Sequence, residues 1–126
     1  MAIKFKLITR GNPGNPEAPK KHYATIVRPK NVTLETLSKR ISEISPVNEL
    51  DTQTALLTFA KIIPEFLIEG ATVELGDLGR LQVSISSEGA DTEEDFNKEM
   101  VKSCKVSYRP SVQVKETLAA VKFEKE

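Results

Sequence analysis

The sequence contains one cysteine, one histidine and no tryptophan, and aromatic residues make up only 6% of its 126 positions. A lone Cys104 excludes an internal disulfide, and with His22 as the single imidazole no Cys/His zinc cluster exists. The same scarcity leaves little material for a nucleophilic triad. His22 follows Lys21 at the start of a strand-like segment, with no second ligand or base beside it. The carboxylates scattered over 88–99 lack the D-x-D-x-D-G order of a calcium loop. There is no Gly-rich phosphate loop between a strand and a helix. These absences predict a non-enzymatic protein with no metal and no other cofactor. No apolar run approaches the ~20 residues of a membrane span. The start, MAIKFKLITR, lacks the continuous apolar stretch of a secretory signal. A cytoplasmic protein without membrane contact is the expectation.

What is present suffices for a packed domain of ordinary size with room for an appendage: 39% hydrophobic and 29% charged residues. Eighteen Lys+Arg balance eighteen Asp+Glu. That zero hides a polarity. Residues 1–32 carry Lys4, Lys6, Arg10, Lys20, Lys21, Arg28 and Lys30 against Glu17 alone. The middle of the chain, 33–100, is strongly acidic, and 101–126 is basic again. Such segregation permits a basic face and an acidic face on one fold.

Residues 2–9 alternate, with Ile3, Phe5 and Leu7 opposite Lys4 and Lys6, and predict a half-buried strand. HYATIVR (22–28) predicts a second. Between them Pro13, Pro16 and Pro19 allow only a long hairpin loop. Thr33 is an N-cap for a helix bearing Leu34, Leu37, Ile41 and Ile44, stopped at Ser45-Pro46. Asp51 is read as the cap of another, in which Ala55, Leu56, Phe59, Ile62, Ile63, Phe66 and Leu67 form a wide apolar face. Pro64 lies inside it, and Gly70 suits its C-terminal end. ATVEL, Gly76-Asp77-Leu78-Gly79 and RLQVSIS then read as a hairpin. Residues 86–100 are acidic, and Thr92 with Asp95 suggests a short helix there. Residues 101–109 alternate as a strand, with Cys104 as a packing residue. A last helix follows Pro110-Ser111 and runs to about residue 121. The order defines an α+β chain.

TVELGDLGRLQV and VSYRPSVQVKETLAAV carry a resemblance. The Gly76-Asp77-Leu78-Gly79-Arg80-Leu81 stretch matches the "G-x-[FL]-G-x-[FL]" hairpin of the HU/IHF family of bacterial DNA-bending proteins. Tyr108-Arg109-Pro110 matches that family's "F-[KR]-P" before the last helix. The sequence resembles the extended HU-like type, with an added strand pair. The resemblance implies an intertwined HU/IHF-like dimer fold with an N-terminal β-hairpin extension at 1–32. The HU-like domain would then span 33–126, with its core at 33–85 and 101–121 and an acidic insertion at 86–100. It implies a homodimer whose 55–67 face packs on a second copy, and it leaves open pairing with other HU-like chains. Duplex DNA would be the partner, bound largely through phosphates, with a role in DNA bending and nucleoid architecture.

The family's arm carries an Arg-x-Asn-Pro tip whose proline wedges into the minor groove. Here the arm stretch, 84–105, has serines and acids and no proline, and a basic position of the last helix is Val112. The cations expected to meet DNA are therefore Arg109 and Lys115, with Arg80, Lys102 and Lys105 nearby in sequence. Lys102, Lys105 and Arg109 cannot all share one strand face. Arg10-Gly11-Asn12-Pro13, flanked by Lys20 and Lys21, repeats the chemistry of an arm tip at a new place. The plainer reading of Asn12-Pro13 is a surface turn. The alternative function is a protein-interaction or self-assembly module on an HU scaffold that has lost DNA binding.

Overall fold

The computed structural model describes residues 2–126. The elements in order are β1 (Ala2–Arg10), β2 (Lys21–Ile26), α1 (Leu34–Ile44), α2 (Glu49–Leu67), β3 (Val73–Glu74), β4 (Gly79–Ser87), β5 (Val101–Pro110), α3 (Val112–Ala119) and β6 (Lys122–Lys125). They fall into two compact units, one reaching to Val32 together with Thr117–Glu126, the other Thr33–Glu116.

In the first unit β1 is the central strand of a three-stranded sheet of order β2-β1-β6. β2 runs antiparallel to it, from Phe5 opposite Ile26 to Arg10 opposite Lys21. β6 runs parallel to it, from Ala2 opposite Lys122 to Phe5 opposite Lys125. This last strand was not foreseen: the final helix was expected to reach about 121. It ends at Ala119, and Lys122–Lys125, with Phe123 as its single apolar residue, is a strand through its pairing with β1. The connection between β1 and β2 is a loop closed by its own side chains. The Asn12 carboxamide oxygen accepts from the Gly14 N–H at 2.9 Å, and Asn15 N–H donates to the Asn12 carbonyl at 3.1 Å.

In the second unit α1 starts at Thr33, whose hydroxyl accepts from the Thr36 N–H, as its sequence position suggests. The cap of α2 lies three residues before the expected Asp51. Asn48 is the cap, accepting from Asp51 N–H at 2.8 Å, and its amide donates back to the Asp51 carboxylate at 2.8 Å. Asp51 is thus the reciprocal partner of the cap, a favourable site for a carboxylate near a helix N-terminus. Pro64 lies close enough to the end of α2 that the helix closes one turn later, with Ile68 N–H donating to the Pro64 carbonyl. Gly70, at φ 82°, turns the chain away.

β3, β4 and β5 form an antiparallel sheet dominated by the long β4–β5 ribbon. Its far connection holds the acidic residues. Thr92 does accept from the Asp95 N–H at 3.2 Å, but a turn follows rather than the expected helix. A few residues with no apolar face to pack cannot offset the cost of helix nucleation. Asn97 then caps a single 3₁₀ turn, Lys98–Met100.

No hydrophobic side chain among the described residues is buried in this chain; the two buried residues are Ser38 and Thr52. Each hydroxyl bonds back to a carbonyl four residues earlier. Cys104, expected to pack inside, is exposed, because the face of the ribbon it occupies has no cover within the chain.

The tightest point is Gly79, where β4 leaves the 3₁₀ turn Gly76–Leu78. Its φ of 129° lies in a region that suits glycine. A Cβ there would clash with the Arg109 carbonyl oxygen and crowd the Pro110 Cα at 2.9 Å. Gly79→Ala is expected to cost at least about 2 kcal/mol from backbone strain and overpacking, read as a lower denaturation midpoint. An unchanged midpoint would contradict this account.

Candidate nucleic-acid interface

The β4–β5 register sorts side chains onto two faces. Arg80, Gln82 and Ser84 lie opposite Arg109, Ser107 and Lys105. Leu81, Val83 and Ile85 lie opposite Tyr108, Val106 and Cys104 on the other face. One face is basic and hydroxylic, the other apolar. Arg80 and Arg109 are direct cross-strand neighbours, and Glu74 of β3 is the neighbour of Arg80 on its other side.

The turn before β4 and the start of α3 are tied together at the end of this ribbon. Tyr108 donates its hydroxyl to the Leu78 carbonyl, and the Ser111 hydroxyl donates to the Asp77 carbonyl. The Ser111 backbone N–H also reaches the Leu78 carbonyl, at 3.3 Å. Ser111 in turn caps α3, accepting from Val114 N–H at 3.2 Å through its hydroxyl and from Lys115 N–H at 3.1 Å through its carbonyl. These bonds fix where Lys115 leaves the helix. The result is an open groove of about 770 Å³ lined by Arg80, Arg109 and Lys115, with Glu74, Tyr108 and Ser111 among its other walls.

Three of the sequence-selected cations thus meet in one groove. Lys105 shares their face, four residues along β5 from Arg109. Lys102 does not: it falls on the opposite parity and its ammonium pairs with Glu88 at 2.9 Å. In the other unit Arg10, Asn12, Pro13 and Lys21 line a second hollow with Tyr23. The Arg10 guanidinium lies over the Tyr23 ring, 5.9 Å from its centroid. Lys20 is exposed in the loop, its stem beside Gly11. The sequence reading missed Glu74, Gln82, Ser84 and Ser107 as members of the basic face. Their alternation with apolar residues was the available signal, but only the strand register aligns them with the arginines.

Among the described residues no group of three or more metal-ligating side chains comes together. No helix is long and apolar enough to cross a membrane.

Helix pair, two-faced ribbon and capped last helix, with a hairpin before them, define an α+β protein of HU-like fold. The chain belongs to the family described as "HU domain fused to wHTH, Ig, or Glycine-rich motif", whose model it matches over residues 1–125. It is similar in fold to the crystal structure of a protein described as a "Putative bacterial DNA binding protein" from Bacteroides vulgatus ATCC 8482, at a TM-score of 0.64 and 14% identity. The match covers 98% of this chain and 48% of that one, so the chain spans about half the length of that protein. No curated protein matches the sequence.

Ser111→Ala removes the cap of α3 and the clamp on the turn together. The expected loss is about 1–2 kcal/mol of stability, typical of a lost N-cap, read by thermal or urea unfolding. Ser111→Thr keeps the hydroxyl and should keep much of it, and Ser111→Asp, which can cap but cannot donate to the Asp77 carbonyl, should fall between; equal losses in all three variants would argue against the cap.

Proposed function

We propose that the protein is a non-enzymatic, HU-like DNA-binding homodimer. It holds duplex DNA chiefly by phosphate contacts from Arg80, Arg109 and Lys115, extended along the ribbon by Lys105. The single observation that carries this reading is the Arg80–Arg109 pair. Like charges directly across a strand pair repel. Neither arginine has an ion-pair partner among the described residues, where the pairs are Arg40–Glu43 and Lys102–Glu88. Two forked guanidiniums and an ammonium facing one open groove fit a phosphate backbone. Base reading has little to work with here, so binding would be largely independent of sequence. DNA bending, a nucleoid role in the bacterial cytoplasm and pairing with other HU-like chains complete the reading. The description of the Bacteroides protein as DNA binding agrees with it.

The homodimer rests on surface. A folded monomer of this mass exposes about 6,700 Å², and two separate domains of these sizes about 8,000 Å². The chain exposes 10967 Å². Leu57, Phe59, Ile62 and Phe66 of α2 and Val106 and Ile85 of the ribbon all lie substantially exposed. An excess of roughly 3,000 Å² per chain, about 6,000 Å² for two, is enough for a large obligate interface, which covers upward of about 2,000 Å² in total.

A second reading, an assembly module without DNA binding, is favoured by one observation: residues 86–100 carry six acids against Lys98, and Glu88 already holds Lys102.

Fluorescence anisotropy with a labelled duplex of about 30 base pairs, titrated across salt, separates the two. DNA binding predicts a steep fall of log affinity with log salt. Changing Arg80, Arg109 and Lys115 together to Gln should lower the slope by about 3 per chain. No binding at low salt would favour the assembly module. Light scattering should give twice the 14.0 kDa chain mass, and Phe59→Asp should abolish the dimer.

A further inference from the structure

The three-stranded sheet of the first unit is two-faced in the same way as the ribbon. By register, Ile3, Phe5, Leu7, Ala24, Ile26 and Phe123 share one face. The other face gathers Lys4, Lys6, Arg10, Lys21 and Lys122, with Ile8 and Tyr23 among them and Glu124 beside Lys4 as its one acid. The sequence scatters these cations over three strands, β1, β2 and β6. The pairing of β6 with β1 is what brings Lys122 to the others.

We infer that this sheet face is a second duplex-DNA surface, separate from the Arg80–Arg109–Lys115 groove, that tracks the phosphate backbone. The inference rests on the DNA-binding reading and extends it to residues outside the HU-like motifs. Charge complementarity selects the occupant. None of the five cations has an ion-pair partner among the described residues. Lysines on edge strands are ordinary guards against aggregation, but Lys4 lies where β1 is paired on both sides, with Glu124 of β6 opposite it and Val27 N–H donating to its carbonyl, and no such guard is needed there. Arg10 is held against the Tyr23 ring, which orders the guanidinium while leaving its N–H groups to a phosphate. Lys4 and Arg10 are six residues apart on one strand, about 20 Å, so the cations form a track rather than a point. The outer strand axes are about 10 Å apart before side chains are added. A sheet that broad does not enter the major groove, ~12 Å wide, as a two-stranded ribbon would, so it lies on the backbone and reads charge.

The test uses the full chain and the same labelled duplex. In one variant Lys4, Lys6, Arg10 and Lys21 are changed to Gln. In a second, three lysines of the other unit, Lys39, Lys61 and Lys98, and Lys125 on the apolar face of the sheet, are changed to Gln. Both variants lose four charges. A third variant, Lys4→Arg, Lys6→Arg and Lys21→Arg, keeps the charge. Circular dichroism confirms that each is folded. The inference expects the first variant to lose about 3 to 4 from the salt slope and at least about tenfold in affinity. The second and third should stay near wild type. Equal losses in the first two variants would reduce the effect to net charge and overturn the inference. Wild-type binding with an unchanged slope in the first variant would overturn it while leaving the groove reading intact. A wild-type protein that binds no DNA at any salt would overturn both.

Discussion

Apolar surface that one chain cannot cover shapes most of what this structure does. Every long element has an apolar side, yet no hydrophobic residue among the described ones is buried within the chain. Burial is worth about 25 cal/mol per Å², so an uncovered α2 face and ribbon face leave a large stabilising term unrealised. Backbone order inside the second unit comes instead from local devices: Thr33 and Asn48 at helix starts, hydroxyls of Ser38 and Thr52 bonded within their helices, and Ser111 at α3. Such caps contribute about 1 kcal/mol each and define where elements begin, but they do not make a core. The proposed dimer supplies that core, and with it the reason for Leu57, Phe59 and Phe66 to stand on one helix.

The same constraint accounts for the site. A strand has two sides, and a sheet that must present an apolar side to a partner has its other side left for solvent or ligand. In the ribbon that second side holds Arg80, Arg109 and Lys105, and in the three-stranded sheet it holds Lys4, Lys6, Arg10 and Lys21. A one-residue slip of either register would send these cations to the apolar side. Gly79 and Pro110, which face each other where the ribbon begins, therefore bear on the site as well as on the fold. Only a residue without a Cβ lets β4 approach Arg109 and Pro110 that closely, and this fixes the row in which Arg80 meets Arg109.

Local pattern was readable from the sequence where physical signals are local. Thr33, the alternation of residues 2–9 and the glycines of the Gly76–Gly79 turn each predict their element, and each element is present. The cap of α2 was misplaced because Asn48 and Asp51 are both good caps, and only the reciprocal hydrogen bonds tell which comes first. β6 was missed because four residues with Phe123 as the single apolar one carry too little pattern until a parallel partner is known. The face shared by Arg80, Arg109 and Lys115 depends on long-range register and on the Ser111 clamp, neither of which spacing reveals. The exposure of Cys104 could not be read from strand alternation either, since alternation says which face a residue takes and not whether that face is covered.

Zero net charge does not weigh against phosphate binding in a fold built this way, because distance along the ribbon separates the signs. Arg80 and Ser87 lie at opposite ends of β4, seven residues apart. At about 3.3 Å per residue that is roughly 23 Å. The acids begin at Glu88, beyond that end, and the first of them is spent on Lys102. Exposed charges are screened over about 8 Å at physiological ionic strength. The acidic connection is therefore nearly three screening lengths from the Arg80–Arg109 row, and its field there is small. Lys105 stands between, about 13 Å from Arg109, and is the cation whose contribution the acidic end diminishes most. A duplex seated on the groove would meet the arginines with Glu74 of β3 as the near acid, and the acidic connection would turn it aside only toward the ribbon's far end. The acidic segment then limits how far along the ribbon DNA can lie, without cancelling the site at its base.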